Sequence, residues 1–414
     1  MLKELITVAV NDYKQLLKNK QWMAIVIFLF FIVCISLSVY RVVIYMSDFN
    51  MFLDPAVDAK FFGKDPITTW TNNSYSPFFY SVMSIFSPFA RWFAVILWSL
   101  ISILSLMVVY SITKFFFPSL KTKHYVYVFL VICTGLVDNF QLGQCNILIL
   151  ALMMLSIYYA YHKKHISSAL WIGFASAFKL VPAILFANFF LRKKYSTVAL
   201  GTLFAILFTM ITPIFFYSFN STGDYLTSWF NAVLFPLASG DEMVTTTYSF
   251  CHTNQSLDGF LGRHFADYGI NNYQIIPDLG IYYLVSPETF KLITLSLKAL
   301  FLLLISFLSI KLKNNNRESI YISSAFFIYG ILIISPVAWV NYYVLIIPLL
   351  FVFVSSLNYA NKLIKGLFIG GAILMLSDVD PVLQSLSLHT IGGLFIFVAT
   401  YITILKRIKK HPLN

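Results

Sequence analysis

The chain has 414 residues, of which 59% are hydrophobic and only 11% charged, with a mean hydropathy of +0.79. A soluble protein of that length needs far more charge to cover its surface, so the composition excludes a soluble enzyme and implies an all-α polytopic membrane protein. The net charge of +12 is not a nucleic-acid footprint, because Lys and Arg fall in short clusters between apolar runs, as the positive-inside rule expects.

In chain order, the segment up to Lys20 is amphipathic and basic and does not read as a cleaved leader, since the apolar run after it is long enough to stay as a helix. That run, from about Trp22 to Tyr45, predicts the first span and leads to an outer loop over residues 46–90. Arg91–Phe117 returns to Lys121 and Lys123, and Tyr125–Val137 goes out again. A short outer turn through Gln141 and Gln144 opens Asn146–Tyr161, which ends at the basic cluster His162–His165.

The next apolar stretch, Ile166–Leu191, is bounded at both ends by basic clusters, the second being Arg192–Lys194. As one full span it would put Arg192–Lys194 outside and the region 218–288 inside, against the charge rule. A re-entrant helical pair satisfies the rule, and it places Lys179, beside Pro182, at the tip of a hairpin within the membrane. The large loop 218–288 is then external, in keeping with Arg263 as the only Lys or Arg between Asn220 and Glu288. Spans over Ser196–Tyr217, Phe290–Ile310, Ile320–Pro336, Tyr342–Ser356, Leu367–Leu376 and Leu388–Leu405 complete about ten crossings plus the pair. The reading is one transmembrane domain over 1–414, in a cell membrane, with both termini cytoplasmic.

An ammonium inside a membrane segment is costly and marks a functional site by default. For Lys179 the natural partner is an anion such as a lipid phosphate. Asp48, just beyond the first span, suits a general base; Asp also favours a helix start, so both readings stand. Gln144 and Asn146 can hydrogen-bond a sugar or phosphate, although amides commonly satisfy helix ends. Asn254 and Gln255 form a similar pair inside a formal N-x-Ser sequon. Trp339, Asn341 and Tyr342 join two spans at the outer face, where Trp and Tyr are first of all interfacial anchors. Lys298 is a second intramembrane lysine, with a long reach to any headgroup. The cysteines, Cys34, Cys133, Cys145 and Cys251, lack metal or disulfide spacing. Asp48, Asp54 and Asp58 lack a convincing ligand set, so no metal is expected, and no cofactor.

Seven short elements in order resemble the polyprenyl-phosphate-sugar-dependent glycosyltransferases of the GT-C class, glycosyltransferase family 87 in particular. They are Asp48–Phe49, Gly63–Lys64–Asp65–Pro66, Tyr75–Ser76–Pro77–Phe78, Gly143–Gln144–Cys145–Asn146, Phe178–Lys179–Leu180–Val181–Pro182, Asn254–Gln255–Ser256–Leu257 and Ser335–Pro336–Val337–Ala338–Trp339. The resemblance implies a GT-C-like fold and an inverting transfer of a hexose such as mannose from polyprenyl monophosphate to a glycolipid or surface glycan. It makes Asp48 the base and gives Lys179 the leaving phosphate. The chain departs from the family pattern where a histidine often follows the Ser-Pro-x-x-Trp element. Here Asn341–Tyr342 stand instead, and Asn cannot shuttle a proton.

Two other classes share the gross layout. A lipid-linked glycan polymerase or ligase would place several arginines in its outer loop, where this chain has Arg263. A polyprenyl-lipid transporter would show repeated halves, which the sequence lacks.

Overall fold

The computed structural model describes residues 2–68, 75–235, 251–265, 285–312, 316–377 and 381–410. The expected site residues all lie within these ranges, whereas parts of the expected outer loops 46–90 and 218–288 lie outside them. The described residues are helical almost throughout, as an apolar chain in lipid requires, because helices satisfy their own backbone groups.

In order, the helices that matter here are α1 (Leu2–Asn19), α2 (Gln21–Ile44), α3 (Asp48–Phe62), α4 (Pro77–Met83), α5 (Arg91–Phe116), α6 (Thr122–Leu142), α7 (Asn146–Tyr161), α8 (His165–Phe178), α9 (Ile184–Leu191), α10 (Tyr195–Ile211) and α11 (Phe219–Trp229). They continue with α12 (Leu257–Phe265), α13 (Pro287–Lys311), α14 (Arg317–Ile334), α15 (Ile347–Ser355), α16 (Lys362–Leu376) and α17 (Leu388–Lys410).

Among the described residues seven helical segments are long and apolar enough to cross a membrane: Gln21–Ile44, Arg91–Phe116, Thr122–Leu142, Tyr195–Phe215, Glu288–Lys311, Arg317–Ile334 and Leu388–Lys410. Three expected crossings are not among these seven, one of them falling on Lys362–Leu376, a helix of 15 residues. Asn146–Tyr161 is one helix of 16 residues, roughly 24 Å against about 30 Å of hydrocarbon. The stretch expected as a span over 342–356 is a 3-10 segment, Val340–Ile346, followed by the short α15, because Pro348 cannot donate the backbone bond that a continuous helix needs.

The chain folds as two compact units. The first comprises Met1–Phe115, Val137–Ala183 and Tyr195–Val244; the second comprises Phe116–Leu136, Ile184–Lys194 and Thr245–Asn414. In the first unit α7 is apolar all round and buried on nearly every face, with α8 packed against both α7 and α10. Gly173 permits the close α8–α10 approach, since a Cβ there would lie 2.6 Å from Phe204 Cβ. In the second unit the central helix is α14, buried continuously from Ser319 to Ile333.

The helix break at Lys179 follows from local chemistry. Pro182 has no N–H to offer the Phe178 carbonyl, so α8 ends at Phe178 and Lys179 is extended, with φ −148° and ψ 134°. A 3-10 turn, Val181–Ala183, leads into α9. Two separate helices, α8 and α9, flank the break, one in each unit.

The basic clusters at either end are tight helix stops. Lys163 and Lys193 are left-handed, with φ 57° and 58°. Lys164 N donates to Tyr159 O at 3.0 Å, and Lys194 N to Phe189 O at 2.8 Å, the wrap-back bonds that close a helix at a left-handed residue. Arg192 is buried rather than solvated. Its guanidinium donates to Leu312 O at 2.8 Å and to Ser323 Oγ at 3.2 Å.

Candidate active site

Five of the seven sequence elements lie in the first unit, and four of them meet around Tyr75. The first element starts α3: Ser47 precedes Asp48, and Asn50 Nδ2 donates back to Val42 O at 3.1 Å, tying the start of α3 to the last turns of α2. Asp48 is thereby held at the first turn of its helix. The helix-start reading and the catalytic reading of Asp48 are therefore compatible.

Gly143 delivers the next residues. It is left-handed, with φ 69°, and Gln144 N donates to Asn139 O at 2.9 Å, which closes α6 and turns the chain. A Cβ at Gly143 would lie 2.6 Å from Phe49 Cβ, so glycine lets this turn press against the start of α3. Trp98 Nε1 donates to Gly143 O at 2.8 Å and locks the turn from α5. The outcome is that Gln144 Nε2 donates to Asp48 Oδ2.

Tyr75–Ser76–Pro77 is clamped on the end of α8. Ser76 Oγ donates to Ala177 O, and Phe79 meets Phe178 edge-on with ring centroids 4.8 Å apart. Tyr75 stacks on Phe79 at 4.1 Å and donates from its hydroxyl to Gln144 Oε1 at 3.4 Å. The Lys179 ammonium lies 5.3 Å from the centroid of the Tyr75 ring and donates to Asn146 Oδ1 at 3.2 Å. Asp48, Gln144, Tyr75, Lys179 and Asn146 therefore form one continuous polar cluster inside an apolar unit. Gln144 and Asn146 are buried, whereas Asp48 and Lys179 keep partial exposure.

Burial pushes the Asp48 carboxyl above its ordinary 3.8, while the bond from Gln144 and the charge of Lys179 pull it back. The neighbouring carboxylates are engaged elsewhere: Asp54 pairs with Arg91 at 2.9 Å, and Asp58 with Lys64 at 3.4 Å. Asp48 is the carboxylate set between an amide and the ammonium of Lys179, an arrangement able to take a proton near a bound anion.

The remaining expected residues meet in the second unit. Asn254 Oδ1 accepts from Ala338 N and Ser256 N, each at 3.0 Å, and its amide donates to Pro336 O at 3.0 Å. Gln255 Nε2 donates to His252 O at 2.8 Å and Gln384 O at 2.7 Å. Arg263 is buried, donating to Cys251 O at 2.6 Å and Asn254 O at 2.8 Å. These amides thus join the Asn-Gln-Ser-Leu element to the Ser-Pro-Val-Ala-Trp element. Asn341 is fully buried, and Trp339 and Tyr342 are half-buried at the start of the 3-10 segment.

Two participants escaped sequence reasoning. Tyr75 was legible as part of a Tyr-x-Pro element but not as the platform under Lys179. Asp258 went unnoticed, yet it pairs with Lys298 at 2.6 Å, so that lysine is answered within the protein.

Seven helical segments able to cross a membrane, together with the family to which the sequence belongs, make this a multi-pass membrane glycosyltransferase. The chain belongs to glycosyltransferase family 87, whose sequence pattern matches residues 73–336, more than half of the chain. Gln144, Asn146, Lys179, Asn254 and Gln255 fall inside the match; Asp48 precedes it, and Trp339, Asn341 and Tyr342 follow it. No curated protein and no solved structure matches the chain.

Proposed function

We propose that this glycosyltransferase moves a hexose, mannose being the first to test, from a polyprenyl monophosphate to a hydroxyl of a glycolipid or surface glycan. The acceptor hydroxyl loses its proton to the Asp48 carboxylate as its oxygen bonds to the anomeric carbon from the opposite face. The carbon–oxygen bond to the carrier breaks, and its electron pair leaves on the phosphate. Lys179 stabilises the charge that grows there, and donors placed where charge develops are commonly the largest catalytic contribution. Gln144 orients Asp48, and Tyr75 with Asn146 holds Lys179.

The supporting observation is the continuous cluster with a carboxylate at one end and an ammonium at the other. In this reading Lys179 sits at the tip of a re-entrant pair, the chain crosses the membrane about ten times, the termini are cytoplasmic and the site opens outward. Trp339 and Tyr342, which keep partial exposure, contact substrate, and the buried Asn341, Asn254 and Gln255 shape that surface. The reaction uses no metal and no other cofactor.

Membrane vesicles containing the protein, supplied with a panel of radiolabelled polyprenyl-phosphate sugars, test the proposal. Transfer from one donor by the native chain, lost in Asp48→Asn, is expected. Full transfer by Asp48→Asn would sink the assignment of the base.

A further inference from the structure

Helix α1 packs on α2, where the Tyr13 hydroxyl donates to Ala24 O at 3.0 Å, and is tied to α5 by its neighbouring flank. Asp12 accepts from Tyr110 at 2.9 Å and pairs with Lys114 at 2.5 Å, both on α5, and Ser111 Oγ donates to Leu5 O at 2.6 Å. Leu5 and Ala9 are buried on the docked side. At about 100° per residue the apolar arc of α1 extends well past this flank, through Ile6, Val10 and Leu17. Leu17 is 40% exposed, and Ile6 and Val10 are half-covered.

The same geometry sets Lys3, Lys14 and Lys18 along the edge of that open apolar strip, all three exposed. The helix contains two carboxylates, Glu4 and Asp12, and Asp12 is the one paired with Lys114. Only Lys20 separates α1 from the first candidate span, and Trp22, 66% exposed, stands at the start of that span. With one residue of linkage, the C-terminal end of α1 has to lie at the depth where the span leaves the bilayer. An apolar strip bordered by lysines at that depth is the pattern of an interfacial helix.

We propose that α1 lies flat on the bilayer and binds anionic phospholipid, with Ile6, Val10 and Leu17 in the acyl boundary and Lys3, Lys14 and Lys18 against headgroup phosphates. The lipid charge would then set how firmly α1 is held on the end of α5, independently of the transfer site.

Hydrogen exchange on the full chain in lipid nanodiscs tests this. Amides of α1 should exchange on the order of tenfold more slowly in discs containing phosphatidylglycerol than in phosphatidylcholine alone, a difference that fades at high salt. The variant carrying Lys3→Gln, Lys14→Gln and Lys18→Gln should exchange alike in both discs, with α5 peptides unchanged from the native chain. Native α1 exchanging at the same rate whatever the lipid charge would overturn the proposal. So would a triple variant that keeps the whole response.

Discussion

The Gln144 side-chain amide donates to the Asp48 carboxylate across 96 positions of sequence. The bond joins the turn that ends one apolar helix to the first residue of another. It also couples the two chemically distinct ends of the cluster, because Gln144 accepts from Tyr75 and Tyr75 lies under Lys179.

Asp48→Asn should lower kcat by at least about 100-fold, the scale of a lost general base. Gln144→Ala should leave the base present but less acidic. The native bond lowers the Asp48 pKa, so its loss moves the acid limb of the kcat/KM profile to higher pH. A profile in which Gln144→Ala shifts the limb downward would contradict this electrostatic role.

Lys179→Gln should cost about 100-fold in kcat, as for removal of one charge-stabilising donor. It too should raise the acid limb, because the ammonium also lowers the Asp48 pKa. Tyr75→Phe keeps the ring under Lys179 and should retain most activity, whereas Tyr75→Leu should not. Single-turnover assays with one donor compare the three.

Gly143→Ala combines a left-handed backbone with a Cβ pressed into Phe49. The expected destabilisation is about 2–4 kcal/mol, read as a lower thermal midpoint in detergent. Activity should fall as well, because Gln144 loses its register on Asp48.

The Asp258–Lys298 pair has 16% side-chain exposure on each partner, so breaking it strands a largely buried charge. Lys298→Met alone should cost about 3–5 kcal/mol, and Asp258→Leu with Lys298→Met much less. Burial already raises the Asp258 pKa and Lys298 opposes that, so the single variant raises it further. A carboxyl whose folded pKa exceeds its unfolded value loses stability as pH rises through that interval. The Lys298→Met defect should therefore shrink on acidification, in thermal midpoints measured across pH.

Much of this protein is local and so was readable from residues in a row. Apolar runs and basic clusters determine that it is a helical membrane protein, because backbone groups in hydrocarbon must bond within their own segment. Pro182 determines the break at Lys179, and glycine suits the stop at Gly143, since each acts on the backbone of its own turn. The tertiary structure alone decided which polar groups meet. Gln144 reaches Asp48, Tyr75 underlies Lys179, and Asp258 answers Lys298, through side-chain packing between helices far apart in sequence. Hydropathy places a helix in lipid but does not set its rotation against a neighbour. That rotation made Lys179 part of a polar cluster and Lys298 half of an ion pair.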